Sequence, residues 1–545
     1  MNETMNTEAR QKDAPGEDEP LGYVTAVSSS SIIGLFTQRD EGATPAHIQI
    51  GNIVKITTDD SVVYGMIADC HTLEPEHCGQ PRASYQFRIE LFGETALSAT
   101  ENLRFKRGIS RYPTFGQTIH VVSRADLDEI YGMPFRRSVE IGKLHQNKTI
   151  PINVDVDELI GKHFAILGST GAGKSCSLVV VLQAILNRYP HGHVILIDPH
   201  DEYKSAFQDK SEYIDVSSIS LPYWLLNFEE ITRVLCHGDS SQVDLQSQIL
   251  FSCITAAKLE YFGSDIRPVN ITVDTPTPYR LSRVQELINE EMGRLDKPGS
   301  SLPYLAILAR IEQLKSDKRF DFMFSDFIVH DNFAEILARI LRIPSNGKPI
   351  TILNLAGAPG EIVNVLISLM ARIIFDFAVW SGGAKTPPVL LVCEEAHRYV
   401  SKDEESSMLP AGRAIARIAQ EGRKYGIGLG IVTQRPADIS QRIISQCNTL
   451  FCLRLTTSAD QDFVNTALPE NGLSLFRMLP SLRTRDAVVV GDAVSMPMRI
   501  RFNMLQPNQM PQRQSLPVSQ SWEKEITGRN FIADVVNRWR CTARD

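Results

Sequence analysis

A chain of 545 residues with 43% hydrophobic and 22% charged side chains has the make-up of a soluble globular protein with roughly two to four domains. The formal charge of −8 excludes a surface coated in nucleic acid, although a local basic channel is still compatible with it. No run approaches the ~18 uncharged apolar residues of a membrane span, so no membrane partner is expected. Nine cysteines without a C-x-x-C pair suggest neither a zinc site nor a disulfide framework and point to a reducing, cytoplasmic setting.

Residues 1–20, MNETMNTEARQKDAPGEDEP, are acidic and polar and read as a disordered tail rather than a signal peptide. Residues 21–135 read as a small antiparallel β-barrel. LGYVTAV, HIQIGNIVKIT, SVVYGMIAD, SYQFRIELFG and QTIHVVS are rich in β-branched and aromatic residues and are separated by Gly, Asp, Pro and Ser. FRRSVEIGKLHQNKTIPINVD reads as a short connector. Over 136–504 strands alternate with helices, starting at HFAILG, KSCSLVVVLQAILNRY and HVILID, which predicts an α/β core on a mostly parallel sheet. Residues 228–342 follow a helical pattern and read as an insertion. Residues 505–545 are rich in Gln and Pro and form a C-terminal arm that ends in an amphipathic helix, NFIADVVNRWR.

The chemistry starts at ILGSTGAGKSCS. Gly168, Ser169, Thr170, Gly171, Ala172, Gly173, Lys174 and Ser175 match G-x-x-x-x-G-K-[ST] between a predicted strand and a predicted helix. In such a loop the backbone N–H groups and the helix N-terminus cradle phosphates. Lys174 would neutralise the β- and γ-phosphates of ATP, Ser175 would ligate Mg²⁺, and Cys176 follows at the mouth of the site. A hydrolase also needs acids at the end of a nearby buried strand. PVLLVCEEAH supplies Glu394 for metal support and Glu395 as the base towards water. VILIDPHDEY offers Asp198 as a second metal-support acid, with Asp201 and Glu202 close behind. His200 and His397 read as hydrogen-bonding residues at strand exits rather than metal ligands. Gln434 closes the apolar strand of GIGLGIVTQRP, where an amide would sense the γ-phosphate. Arg417, Arg423 and Lys424 lie on or after the helix before that strand, and any one of them is a candidate arginine finger across a subunit boundary. The chain has neither the N-K-x-D base-recognition tetrapeptide of GTPases nor the L-S-G-G-Q of ABC-type ATPases.

GSTGAGKS, IDPHDEY, CEEAH, EGRKYGIGL and TQRP, in that order and after a small barrel, resemble the HerA family within the HerA/FtsK branch of P-loop ATPases. The resemblance spans roughly residues 21–502. It implies a RecA-like motor that hydrolyses ATP with Mg²⁺ and works as a homo-hexamer around double-stranded DNA. It further implies Lys174 as the phosphate-loop lysine, Glu395 as the catalytic acid, Arg423 as the trans-acting finger and Gln434 as the sensor. Glu394 stands where the family commonly has aspartate, and Asn354 where members often carry an acid. Relatives work with a nuclease or, in antiviral defence, a sirtuin-like effector, for which the barrel is the implied dock. A different class shares every motif: a scaffold whose nucleotide state controls an effector with little translocation.

Overall fold

The computed structural model describes residues 20–37, 49–73, 84–97, 105–132, 137–215, 219–261, 270–294, 301–325, 329–382, 387–402, 409–467, 474–511, 519, 522–523 and 529–540. Nearly all of the acidic tail, the start of HIQIGNIVKIT and much of the C-terminal arm lie outside them.

The N-terminal strands are β1 (Gly22–Val27), β2 (Ser31–Thr37), β3 (Ile53–Thr57), β4 (Ser61–Leu73), β5 (Ser84–Ala96), β6 (Lys106–Arg107) and β7 (Thr118–Val121). They pair antiparallel in the order β2-β1-β7-β3-β4-β5, and β2 pairs again with β5, so six strands close into a barrel with β6 added at β5. Strands β2 and β6 are absent from the five expected from the sequence. The IIGLF core of β2 is short, yet it closes the barrel with Ile32 opposite Ile89 and Phe36 opposite Tyr85. Every second residue points inward, and Val24, Ile32, Ile56, Ile89 and Ile119 fill the lumen.

The second sheet has eleven strands. Its members are β8 (Ser138–Leu144), β9 (Pro151–Asp155), β10 (Phe164–Leu167), β11 (His193–Asp198), β12 (Ser211–Asp215), β13 (Ile350–Asn354), β14 (Val389–Cys393), β15 (Ile427–Thr433), β16 (Thr449–Cys452), β17 (Asp486–Gly491) and β18 (Met498–Phe502). Their order is β12-β13-β11-β14-β15-β10-β16-β17-β18-β8-β9. The strands from β12 to β16 in that order run parallel, and the remainder is antiparallel. The supposed connector before the glycine loop is therefore the hairpin β8–β9, which extends this sheet through Ile500 opposite Leu144. Its alternating, half-polar residues suit an edge pair with one face buried, a pattern weaker in sequence than a continuous apolar run.

Alternation divides the parallel core between two faces. Phe164, Ile166, Leu196 and Val392 pack under the helix Lys174–Arg188. Ala165, Leu167, Ile197 and Leu391 face the helices Gly360–Trp380 and Pro410–Glu421. Helix Gly360–Trp380 is long and apolar enough to cross a membrane by composition, but 67% of its most apolar window is buried in this core. Between β12 and β13 lie five longer helices: Phe228–Leu235, Ser240–Tyr261, Leu281–Met292, Leu302–Ser316 and Phe333–Leu341. The first of these is held to the core through buried Glu230, which pairs with Arg372 at 2.9 Å and accepts from Ser368 at 2.7 Å. Lys258, fully buried, donates to the carbonyls of Val273 and Thr275 and so closes the helical layer on its own loop.

Candidate functional site

The glycine loop leaves the C-terminal end of β10 and enters the helix Lys174–Arg188. Gly171 and Gly173 adopt φ of +77° and +104°, left-handed values that a β-carbon would strain, and this geometry turns the loop back on itself. The loop is fastened on both sides. Gly168 N–H donates to Thr433 O at 3.3 Å, and both the N–H and the hydroxyl of Ser169 donate to Arg454 O, at 2.8 and 2.9 Å. Lys174, the first helical residue, is buried, and Cys176 is half-buried beyond it.

The acids come from two neighbouring strand ends. Asp198 is fully buried, and its two oxygens accept the N–H groups of His200 and Tyr203, each at 3.1 Å. Burial still raises its pKa to about 6. These bonds shape the turn PHDEY. Asp201, at φ +55°, is pinned there by the Tyr213 hydroxyl at 2.8 Å, and Tyr213 in turn accepts from Asn354. The turn delivers Glu202 to the loop, where it accepts from the Ser175 hydroxyl at 3.1 Å. Glu202, not Asp198, is thus the carboxylate touching Ser175. The sequence offered it only as one acid among three, because a turn's direction is not encoded in residue spacing.

Glu394 follows β14 and is buried, with its Oε2 making no hydrogen bond among the described residues. Burial, reinforced by the neighbouring charge of Glu395, pushes its pKa up to about 8. Glu395 sits at φ +50°, a conformation rare for a non-glycine residue and one that clusters at functional sites. Its Oε2 lies 3.3 Å from His397 Nδ1, which is also 3.2 Å from the Thr433 hydroxyl. Burial lowers the pKa of His397 and favours the neutral ring. No group of three or more His, Cys, Asp or Glu converges to hold a metal among the described residues. The oxygens of Ser175, Glu202 and Glu394, one of them a buried orphan, form a hard donor set. Such a set suits an ion that completes its shell with phosphate and water, the habit of Mg²⁺.

Strand β15 lies between β10 and β14. At its C-terminal end the Thr170 hydroxyl donates to Gln434 Oε1 at 2.5 Å, so Gln434 reaches the glycine loop. At its N-terminal end lies Arg423, in the turn Gly422–Tyr425. Seven residues of extended chain separate these ends, roughly 20 Å at about 3.3 Å per residue. Arg423 is exposed and lines a cleft of about 570 Å³ at the opposite edge of the sheet. Its turn is fixed by Tyr425, which packs edge-on against Phe375 at 5.5 Å, and by Val389 N–H donating to Gly426 O. Arg417 is engaged elsewhere: its guanidinium lies 4.1 Å over the Phe375 ring and 4.0 Å from Asp376. The fold therefore gathers the glycine loop, Glu394, Glu395 and Gln434 and keeps Arg423 apart from them.

A glycine loop one strand away from paired acids, on a parallel sheet flanked by helices, defines a P-loop nucleotide-binding protein with a RecA-like core. The same fold occurs in VirB4 of Thermoanaerobacter pseudethanolicus, at a TM-score of 0.50 and 13% identity, covering 68% of this chain and 98% of that one. Residues 139–374 match the family model described as Helicase HerA, central domain. The chain is similar to the DNA double-strand break repair helicase HerA of Pyrococcus furiosus, with 26% identity covering 71% of this chain and 73% of that protein. It is also similar to the probable DNA double-strand break repair helicase HerA of Methanocaldococcus jannaschii, with 28% identity over 69% of this chain and 78% of that protein.

Proposed function

We propose that this protein hydrolyses ATP to move double-stranded DNA through a homo-hexameric ring. One observation carries the proposal: the described chain holds a nearly complete phosphate site at one end of its strands and an unattached, rigidly mounted arginine at the other. A second copy, presenting Arg423 to the first copy's site, completes the centre, and a closed ring repeats that contact at every interface.

In this reading Lys174 and the loop N–H groups bind the β- and γ-phosphates. Glu395, bent back by its left-handed backbone, accepts the proton of the attacking water, with the His397 ring beside it. Gln434, already joined to Thr170, orients the water or reads the γ-phosphate. Arg423 of the neighbour stabilises the charge on the transferring phosphoryl group. Ser175, with Glu202 and Glu394 behind it, would hold a Mg²⁺ ion, which would further neutralise the phosphates; Asp198 builds the turn that supports Glu202. The names of the relatives, repair helicases, support DNA as the track.

The barrel is the proposed dock for a nuclease or sirtuin-like effector in DNA processing or antiviral defence. Support comes from exposed aromatic residues on it, among them Phe115 at 73% exposure and Tyr23, since such residues anchor protein interfaces. The reading also places the protein in the cytoplasm.

The test measures ATP turnover with and without duplex DNA, together with displacement of a DNA-bound obstacle and negative-stain imaging. Stimulated turnover, displacement and rings are expected. Turnover indifferent to DNA, without displacement, would replace the motor with the effector-controlling scaffold.

A further inference from the structure

Tyr203 closes the turn PHDEY and is left without a task by the reading above. Its backbone N–H donates to Asp198 Oδ2 at 3.1 Å. Its ring is 0% exposed and packs in the apolar layer beneath the helix Lys174–Arg188. A phenol buried to that depth usually finds a partner for its O–H. The Tyr203 hydroxyl has none among the described residues, and neither has Glu394 Oε2. The two orphans are neighbours: the hydroxyl faces the Glu394 carboxylate and the Ser175 hydroxyl. Ser175 spends its own hydrogen on Glu202 at 3.1 Å. Tyr203 thus holds a spare donor and Glu394 a spare acceptor, side by side where the acids meet the glycine loop.

We propose that Tyr203 is a positioning residue: its hydroxyl donates to the Glu394 carboxylate and so holds that acid towards Ser175 when the Mg²⁺–nucleotide is bound. The inference rests on the nucleotide reading and deepens it. The backbone of Glu394 is already fixed, because the Tyr399 hydroxyl donates to its carbonyl oxygen at 2.7 Å. Its side chain has one rotatable bond more than an aspartate, so the place of its carboxylate depends on what lies beside it. Tyr203 is what lies beside it, mounted on the same turn that delivers Glu202 to Ser175. An unmade bond between buried groups costs stability in the free chain, a cost that ligand binding returns by ordering the acid.

The test measures ATP binding to the full chain by calorimetry, once with Mg²⁺ and once with EDTA. Tyr203→Phe keeps the ring and removes the hydroxyl alone. It is expected to weaken ATP about tenfold with Mg²⁺, the loss of one hydrogen bond to a charged group, and to leave it within about twofold of wild type with EDTA. Without nucleotide its Tm should be no lower than that of wild type, because the hydroxyl it loses is unbonded there. In a Glu394→Ala background the same change should cost less than about twofold with Mg²⁺, since the tyrosine acts through that acid. Equal losses in the two buffers, no loss with Mg²⁺, a lowered Tm, or the full loss repeated on top of Glu394→Ala would overturn the proposal. A wild-type chain that binds ATP in neither buffer overturns the nucleotide reading itself.

Discussion

The two ends of the parallel strands are built on different principles. The C-terminal end carries buried carboxylates, an orphaned oxygen on Glu394, and residues held at positive φ at Asp201, Glu395 and Arg485. The N-terminal end is an apolar cleft walled by residues such as Ile160, Leu186, Tyr189, Pro388 and Ile427, with Arg423 at its edge. Desolvated charge is destabilising, and the buried acids stand where a ligand can relieve them. The opposite end also has residues at positive φ, His163 and Arg342 among them, but the walls of its cleft are mainly apolar, with Arg188 and Arg423 in the lining. In the proposed function, chemistry and its completion are kept at opposite poles of one sheet.

The comparison is most strongly tested by Lys174→Ala, which should abolish both nucleotide binding and hydrolysis, measured by calorimetry and phosphate release. Arg423→Ala should lose about 10³–10⁵ in turnover, the range of known arginine fingers, while binding ATP nearly as wild type does. Mixing these two variants should recover part of the activity, because some interfaces pair an intact loop with an intact arginine. Arg417→Ala is the matched control. Stacked on Phe375, Arg417 contributes about 0.5–1 kcal/mol of packing, so its loss should lower Tm slightly and leave turnover within about twofold. If Arg417→Ala were the silent enzyme and Arg423→Ala the active one, the poles would have been assigned to the wrong arginine.

Glu395→Gln should lower turnover by about 10²–10⁴, the usual scale of general base catalysis, and trap bound ATP, visible as slow release of a labelled nucleotide. Hydrolysis near the wild-type rate would remove Glu395 from the role of base. The smallest effect concerns Glu394. Its pKa in the folded, nucleotide-free protein is raised to about 8, above that of an exposed carboxyl, so burial favours the protonated form. The resulting stability is complete below the ordinary carboxylate range and is lost as pH rises towards 8. Glu394→Gln carries no such titration. Its stability should gain on wild type between pH 5 and 8, by an amount on the order of 1–3 kcal/mol, read as a rising Tm difference by calorimetry without nucleotide. A constant Tm difference across that range would mean that the buried carboxyl is solvated.

Much of the C-terminal pole was legible from residues alone. The glycine loop, Glu394 with Glu395, and Gln434 each follow a continuous apolar run, and a run buried on both faces is the clearest strand signal a sequence carries. Strands β2, β8, β9, β12 and β18 are short or half-polar and stand out only once paired. Glu202 was visible as an acid, but its contact with Ser175 depends on Asp198 accepting two backbone N–H groups, a matter of turn geometry. Arg485 gives no signal in its own neighbourhood, RTRD, because its partner Ala172 lies in the glycine loop some three hundred positions earlier. The separation of Arg423 from the glycine loop needs the strand order, which periodicity does not supply.

Strand β15 joins the two poles directly. Gln434 at one end touches Thr170 of the glycine loop, and the turn bearing Arg423 abuts the other, with seven fully buried residues between them. An extended strand hydrogen-bonded on both sides does not stretch, so it behaves as a push-rod. In the proposed ring, a shift of Gln434 on departure of the γ-phosphate would be carried to the arginine presented to the adjoining copy. Each site would then learn of its neighbour's turnover through a single rigid element, and firing around a ring would acquire an order without any separate signalling part.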